Sequence, residues 1–124
     1  SVAARDNSMK AEGFENLFCG GEAVGHGSVD GAITTGYLAG HNAARSAFKQ
    51  GLLVLPTSLA LGDIIAYTAE RFKTEEGRNQ RYVMSRGEYW QRMQKTGLYT
   101  DDVNEIRRRV EQAGILGIFA SRLT

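Results

Sequence analysis

The residue types able to do chemistry in this chain concentrate in one stretch, residues 19–31: Cys19, Glu22, His26, Ser28 and Asp30, interleaved with Gly20, Gly21, Gly25, Gly27 and Gly31. Glycines at this density let backbone N–H groups come close to a ligand. A helix that starts immediately afterwards aims its positive end at the same place, so the pattern suits a ligand of phosphate-like or otherwise anionic character. Glu22 is a carboxylate able to accept strong hydrogen bonds from neutral hydroxyls, or to cap nearby turn amides. His26 is either an acid–base candidate or a plain surface-loop histidine, and the second is the simpler reading. Cys19 reads as a buried, inert thiol. His41 lies on the following helix, packed or solvated, and two histidines and one cysteine so dispersed do not make a metal site.

The elements that must position these residues follow from periodicity. Phe14 to Cys19 is a short apolar run that predicts one strand, stopped by Gly20 and Gly21. Ser28 is an N-cap for a long helix reaching about Gln50, with Asp30 complementing the dipole in its first turn and Gly51 beyond its end. Gly36 and Gly40 lie one turn apart in that helix. A helical glycine costs about 1 kcal/mol relative to alanine, so close approach of another element at both is expected.

Further on, Thr57 or Ser58 opens a second helix to about Arg71, with Leu61, Ile64, Ile65 and Thr68 on one face. Residues 73–80 read as a solvated loop. A third helix opens at Ser85 or Arg86, carries Tyr89, Trp90 and Met93 as core or domain-interface positions, and closes at Gly97. Thr100 or Asp101 caps a fourth, with Val103, Ile106 and Val110 on one face, and Ile115 to Leu123 suits a last short helix. The fold class is therefore mainly α: one short strand, a glycine turn and four to five helices. A lone strand cannot satisfy its own N–H and C=O groups. Either this is a helical domain with one extended segment, or the sheet partner lies on another chain or a missing piece, as in a fragment of a larger α/β protein.

At 124 residues the chain fits one domain of ordinary soluble composition, 42% hydrophobic and 23% charged. Its single cysteine allows no internal disulfide and fits a reducing, cytoplasmic setting. Charge is uneven. Residues 1–70 hold four Lys/Arg against seven Asp/Glu, and residues 71–124 hold eleven against seven. The excess in the second half, with Arg107, Arg108 and Arg109 in a row, reads as a solvated helix face or as a contact for RNA or a protein partner.

Gly25 to Gly31 approaches the G-x-G-x-x-G fingerprint but carries Asp30 at the last glycine, and no second strand with an acidic end follows. A different likeness is more extensive. Asn-Leu-Phe-x-x-Gly-Glu from Asn16, the glycine turn, and Gly-x-Leu-Ala-Gly-x-Asn-Ala-Ala-Arg from Gly36 resemble the flavin-closing segment of FAD-dependent oxidoreductases of the GidA (MnmG)/TrmFO type. Leu55 to Tyr67 is similar to the segment that follows in TrmFO, and Arg81 to Tyr89 to a stretch of GidA. These families usually carry a pair such as Gly-Gln where Gly21-Glu22 stands.

The resemblance implies that residues 1–51 are the flavin-closing strand–turn–helix and residues 52–124 a helical C-terminal region. It implies contacts to FAD from Gly21, Glu22, Gly27, Ser28, Val29 and Asp30, with Glu22 accepting from a ribityl or ribose hydroxyl. The flavin would carry the redox chemistry. The chief partner would be a separate N-terminal Rossmann portion, with tRNA, through uridine modification, and a second copy of the chain as further partners. The fragment alone is not expected to be active. The competing class is a non-enzymatic helical interaction domain that holds a protein or RNA partner.

Overall fold

A computed structural model describes residues 2–124, and the architecture is mainly helical. Five α-helices follow one another: α1 (Val29–Ala47), α2 (Ala60–Arg71), the single-turn α3 (Glu75–Arg78), α4 (Gly87–Thr96) and α5 (Val103–Gln112). Short 3₁₀ turns at Gly21–Val24 and Ile118–Ala120 precede α1 and follow α5. Among the described residues no helix is long and apolar enough to cross a membrane.

The strand expected over Phe14 to Cys19 does not form. Phe18 makes an isolated antiparallel bridge with Lys10, and Arg5 makes another with Ala11. The bridge to Lys10 is closed by Cys19 N donating to Met9 O (3.0 Å) and Ala11 N to Leu17 O (2.8 Å), and it extends into no ladder. The physical reason is the one that makes a lone strand untenable. With no sheet to join, residues 2–19 pair partly among themselves and partly with the turn, α1 and α2, and Phe14 and Leu17 stay exposed.

Helix boundaries follow local chemistry. Ser28 caps α1, its hydroxyl accepting from Gly31 N at 3.2 Å. α1 ends at Ala47, short of the expected Gln50, because Lys49 takes up the left-handed conformation (φ 57) that Gly51 was expected to provide. α2 starts at Ala60 with Leu59 at its N-cap and no side-chain cap, so neither Thr57 nor Ser58 serves there. Residues 73–80, expected as loop, contain α3, because Thr74 accepts from Gly77 N (3.1 Å) and stabilises one turn. α4 follows Arg86 and closes at the left-handed Gly97 (φ 77), as its sequence predicts. Asp102 caps α5 through Asn104 N and Glu105 N, one residue beyond the expected cap.

One hydrophobic cluster draws on residues from both sides of position 51: Met9, Val24, Leu38 and Ala39 meet Leu55, Ile64, Ile65, Tyr82, Tyr89 and Met93. α1 contributes Gly31, Thr35, Leu38, Ala39 and Asn42, a single face at helical spacing. α4 is tied to α2 by a buried carboxylate. Asp63 receives Arg92 Nε and NH2, each at 3.0 Å, and the Tyr89 hydroxyl at 2.9 Å. The fork geometry and third donor offset the cost of burying the charge. Next to it, Tyr67 donates to Glu88, which also pairs with Arg71 (3.0 Å).

Of the close approaches expected at Gly36 and Gly40, the one at Gly36 is present, made by the loop backbone at Gly20. A methyl group added at Gly20 would lie 2.8 Å from Gly36 N and 2.9 Å from Thr35 C, so the loop backbone lies directly on α1. Gly36 and Gly40 present their open sides to solvent, and a methyl group at either meets nothing within 4 Å. Two substitutions therefore move stability in opposite directions. Gly20→Ala forces backbone apart and costs about 1–3 kcal/mol. Gly36→Ala adds helix propensity and stabilises by up to about 1 kcal/mol. Urea unfolding of both variants measures the pair, and equal effects would contradict this packing.

Candidate functional site

The turn between Cys19 and α1 is built by the helix it precedes. Gly21 adopts a left-handed φ of 70. Its N–H donates to Thr35 Oγ1 at 2.8 Å, and the Thr35 hydroxyl donates to Gly31 O at 2.7 Å. A side chain nearly two turns into α1 thus fixes the start of the turn. His26 N donates to Gly21 O (3.0 Å) and Gly25 N to Glu22 O (3.0 Å), closing the loop on itself.

The turn sorts its residues into two sides. Glu22, Gly27, Val29 and Asp30 are exposed and Ser28 is half-buried, so these five sequence-predicted residues share one accessible edge at the N-terminus of α1. Gly21 is buried behind them. The Glu22 carboxylate is the feature of this edge. Oε1 accepts from Arg81 Nε at 3.0 Å, and Oε2 covers Gly27 so closely that a methyl group there would collide with it. It does not cap turn amides, the alternative role the sequence left open. Asp30 lies in the first turn of α1, and its carboxyl is held below the ordinary range chiefly by the Ser28 hydroxyl, then by the Gly31 and Asp30 amides. The edge therefore joins helix-terminal amides to two carboxylates.

His26 is no surface histidine. It is fully buried, on the inner side of the turn. Its Nε2 lies 3.5 Å from Thr68 Oγ1. That oxygen accepts from Arg5 NH2 at 2.9 Å and has Ile64 O within 2.9 Å for its own proton. Thr68 can then only accept from the imidazole, which places the proton on Nε2 and leaves Nδ1 a buried acceptor without a partner. Burial, and then the nearby Arg5 guanidinium, lower the His26 pKa to about 4. The ring is neutral at pH 7 and closed off from the accessible edge, which removes it from acid–base chemistry there.

Cys19 is half-buried, and burial raises its thiol pKa against the opposing pull of Arg5. His41 accepts from Arg45 Nε (2.8 Å) and meets Phe119 edge-to-face at 4.9 Å, a packed role. Arg107 pairs with Glu111 (3.1 Å), while Arg108 (2.5 Å) and Arg109 (3.1 Å) both pair with Glu105. Among the described residues no group of three or more His, Cys, Asp or Glu is placed to hold a metal ion.

Sequence reasoning missed Arg5, Thr35 and Arg81 as parts of this site. Thr35 and Asn42 are seven residues apart on α1, and two buried polar side chains on one helix face were a signal that the helix was fastening other segments. Arg5 and Arg81 carried no local signal, because they reach the turn only through the tertiary fold. No protein-family model, curated protein or solved structure matches the chain.

The pH response of His26 follows from its burial. The unfolded chain takes up this proton near pH 6.5 and the folded chain only near pH 4, so the unfolded state binds more protons between the two. The contribution is fully present above about pH 6.5 and is lost as pH falls to about 4, roughly 3 kcal/mol in all. His26→Gln should flatten this part of the wild-type stability–pH curve. Identical slopes in the two proteins would show that the ring titrates normally.

Proposed function

We propose that this chain supplies the flavin-closing turn and helix of an FAD-dependent oxidoreductase of the GidA/TrmFO type. The dinucleotide-binding portion that grips the pyrophosphate is supplied from outside residues 1–124. The observation that carries the reading is the accessible edge itself: Glu22, Gly27, Ser28, Val29 and Asp30 gathered at the N-terminus of a capped nineteen-residue helix. Gly21 belongs to the same site as its buried support, fixed by Thr35.

The chemistry of the edge suits the two ends of a flavin. Glu22, held across Gly27 by Arg81, is an acceptor for a ribityl or ribose hydroxyl. The first-turn amides and the positive end of α1 favour negative charge on the pyrimidine side of the ring, the charge that develops when a flavin is reduced. Asp30 sits at those amides as the local anion, and a flavin edge would take its place there. When bound, the flavin supplies the redox chemistry and these residues supply orientation and electrostatics. Substrate and electron partners belong to the portion outside this chain. A role in tRNA uridine modification rests on the resemblance alone, since Arg107, Arg108 and Arg109 are each already paired with a carboxylate.

The test is flavin retention. The natural polypeptide that contains this sequence should purify yellow and release FAD at one equivalent on denaturation, whereas residues 1–124 alone should bind FAD more weakly than about micromolar. Glu22→Ala should lower FAD affinity in the natural polypeptide about tenfold or more, the loss of a hydrogen bond to a charged group. His26→Gln should leave it within about twofold, since the ring faces away from the edge. A natural polypeptide that neither retains nor binds FAD would overturn the reading.

A further inference from the structure

Away from the glycine turn, a cavity of about 950 Å³ lies between α2, α4, α5 and the C-terminal 3₁₀ turn. Its walls are apolar: Leu61 from α2, Trp90 and Met93 from α4, Ile106 and Val110 from α5, and Phe119 from the last turn. α5 is strongly amphipathic in sequence, yet none of its residues is buried, and Val103 and Ile106 remain 74% and 44% exposed. Its apolar face therefore stands across the cavity from α4 rather than against it. The opposite wall is firm: Met93 is buried, and Trp90 packs edge-to-face on Tyr99 at 4.7 Å.

The charges around the cavity decide what it accepts. Arg109 is the only ionisable side chain among Lys, Arg, His, Asp and Glu in the lining, and each nitrogen of its guanidinium already makes one hydrogen bond. Nε pairs with Glu105 (3.1 Å), NH1 donates to Leu98 O (2.8 Å) and NH2 to Gly97 O (3.2 Å). Two of its five N–H groups stay unspent, but its charge is already paired with Glu105 and its plane is fixed at three points, so an anionic head group meets no unpaired cation; no carboxylate lines the walls for a cationic one. The hydroxyls of Thr34, Ser85 and Thr100 are suited to one or two neutral hydrogen bonds. A volume near the top of the roughly 300–1,000 Å³ range of small-molecule sites, with apolar walls and few polar groups, matches a ligand pocket.

We infer that this cavity binds an uncharged, largely apolar small molecule, in a site separate from the glycine turn. The inference does not depend on the flavin reading. FAD carries a charged pyrophosphate that these walls cannot pair, so it should not compete for the site.

Trp90 is the only tryptophan in the chain, and it lines the cavity, which supplies the readout. Titrating the chain, without FAD, with the neutral probe N-phenyl-1-naphthylamine should give saturable one-to-one energy transfer from Trp90. Dodecanol should displace the probe at least tenfold better than dodecanoate, because no free cation meets the carboxylate. The filling variant Ile106→Phe/Val110→Phe should weaken the probe at least tenfold while its thermal midpoint stays equal or rises. Should that variant unfold, the dodecanol–dodecanoate comparison in the wild-type chain decides alone. Absence of saturable binding by the folded wild type, equal competition by dodecanoate, or undiminished binding by a folded filled variant would each overturn the proposal. So would a concentration-dependent dimer that excludes the probe, which would assign this face to a second copy.

Discussion

Much of this structure rests on one buried amide. Asn42, on the inner face of α1, has no exposed surface; its Nδ2 donates to Ser8 O (2.9 Å) and Leu53 O (2.8 Å), and its Oδ1 accepts from Leu53 N (2.7 Å). Three hydrogen bonds from one side chain fasten two irregular segments, one before α1 and one after it, to the same point on the helix. Residues 2–19 and 48–59 have no sheet to pair with, so their backbone groups need partners from elsewhere. Thr35, two turns earlier on the same face, performs the matching task for Gly21. α1 therefore works as a post to which loops are hydrogen-bonded, with Leu38 and Ala39 between the two polar anchors supplying the apolar contact.

This arrangement explains why so many polar groups are buried around the turn. Arg5 is 8% exposed and meets neutral acceptors, Ile65 O (3.1 Å) and Thr68 Oγ1 (2.9 Å), rather than a carboxylate. His26 stays neutral beside it, first because its ring is buried and then because a second cation in the same space would be unfavourable. The interior under the turn is thus polar but largely satisfied, with His26 Nδ1 the exception. Such an interior holds one loop geometry well, since each alternative strands a buried donor or acceptor. A rigid inner side leaves the outer edge, from Glu22 to Asp30, as a stable surface.

The C-terminal part is organised differently. α2 and α4 are locked by Asp63, Arg92 and Tyr89, whose hydroxyl pKa is driven far upward by burial and by the adjoining Asp63 carboxylate. Arg92 also lies 4.8 Å from the centre of the Tyr67 ring. α5 has no comparable lock. It is held by ion pairs along its own surface and by Arg109 reaching the carbonyls that follow α4. Exposed pairs of this kind contribute little to stability, and the large apolar cavity lies where a tighter helix would otherwise have packed.

The sequence by itself determined the helices whose signals are local: the Ser28 cap and the α1 that follows it, the apolar face of α2, α4 with Tyr89 and Met93 inward and Gly97 at its end, and α5. These depend on neighbours three and four residues apart, and caps and periodicity record them directly. It also marked out the glycine turn with Glu22 and Asp30 as the place where chemistry is possible. The tertiary structure alone decided the rest. It left Phe14 to Cys19 without a strand, because a strand exists only through a partner. It set the Gly20 backbone against Gly36 and left Gly40 open, buried His26 against Thr68 and Arg5, and brought Arg81 to Glu22 across 59 positions. Each of these depends on residues far apart in the chain, and the type and spacing of residues record no such distance until the backbone has closed.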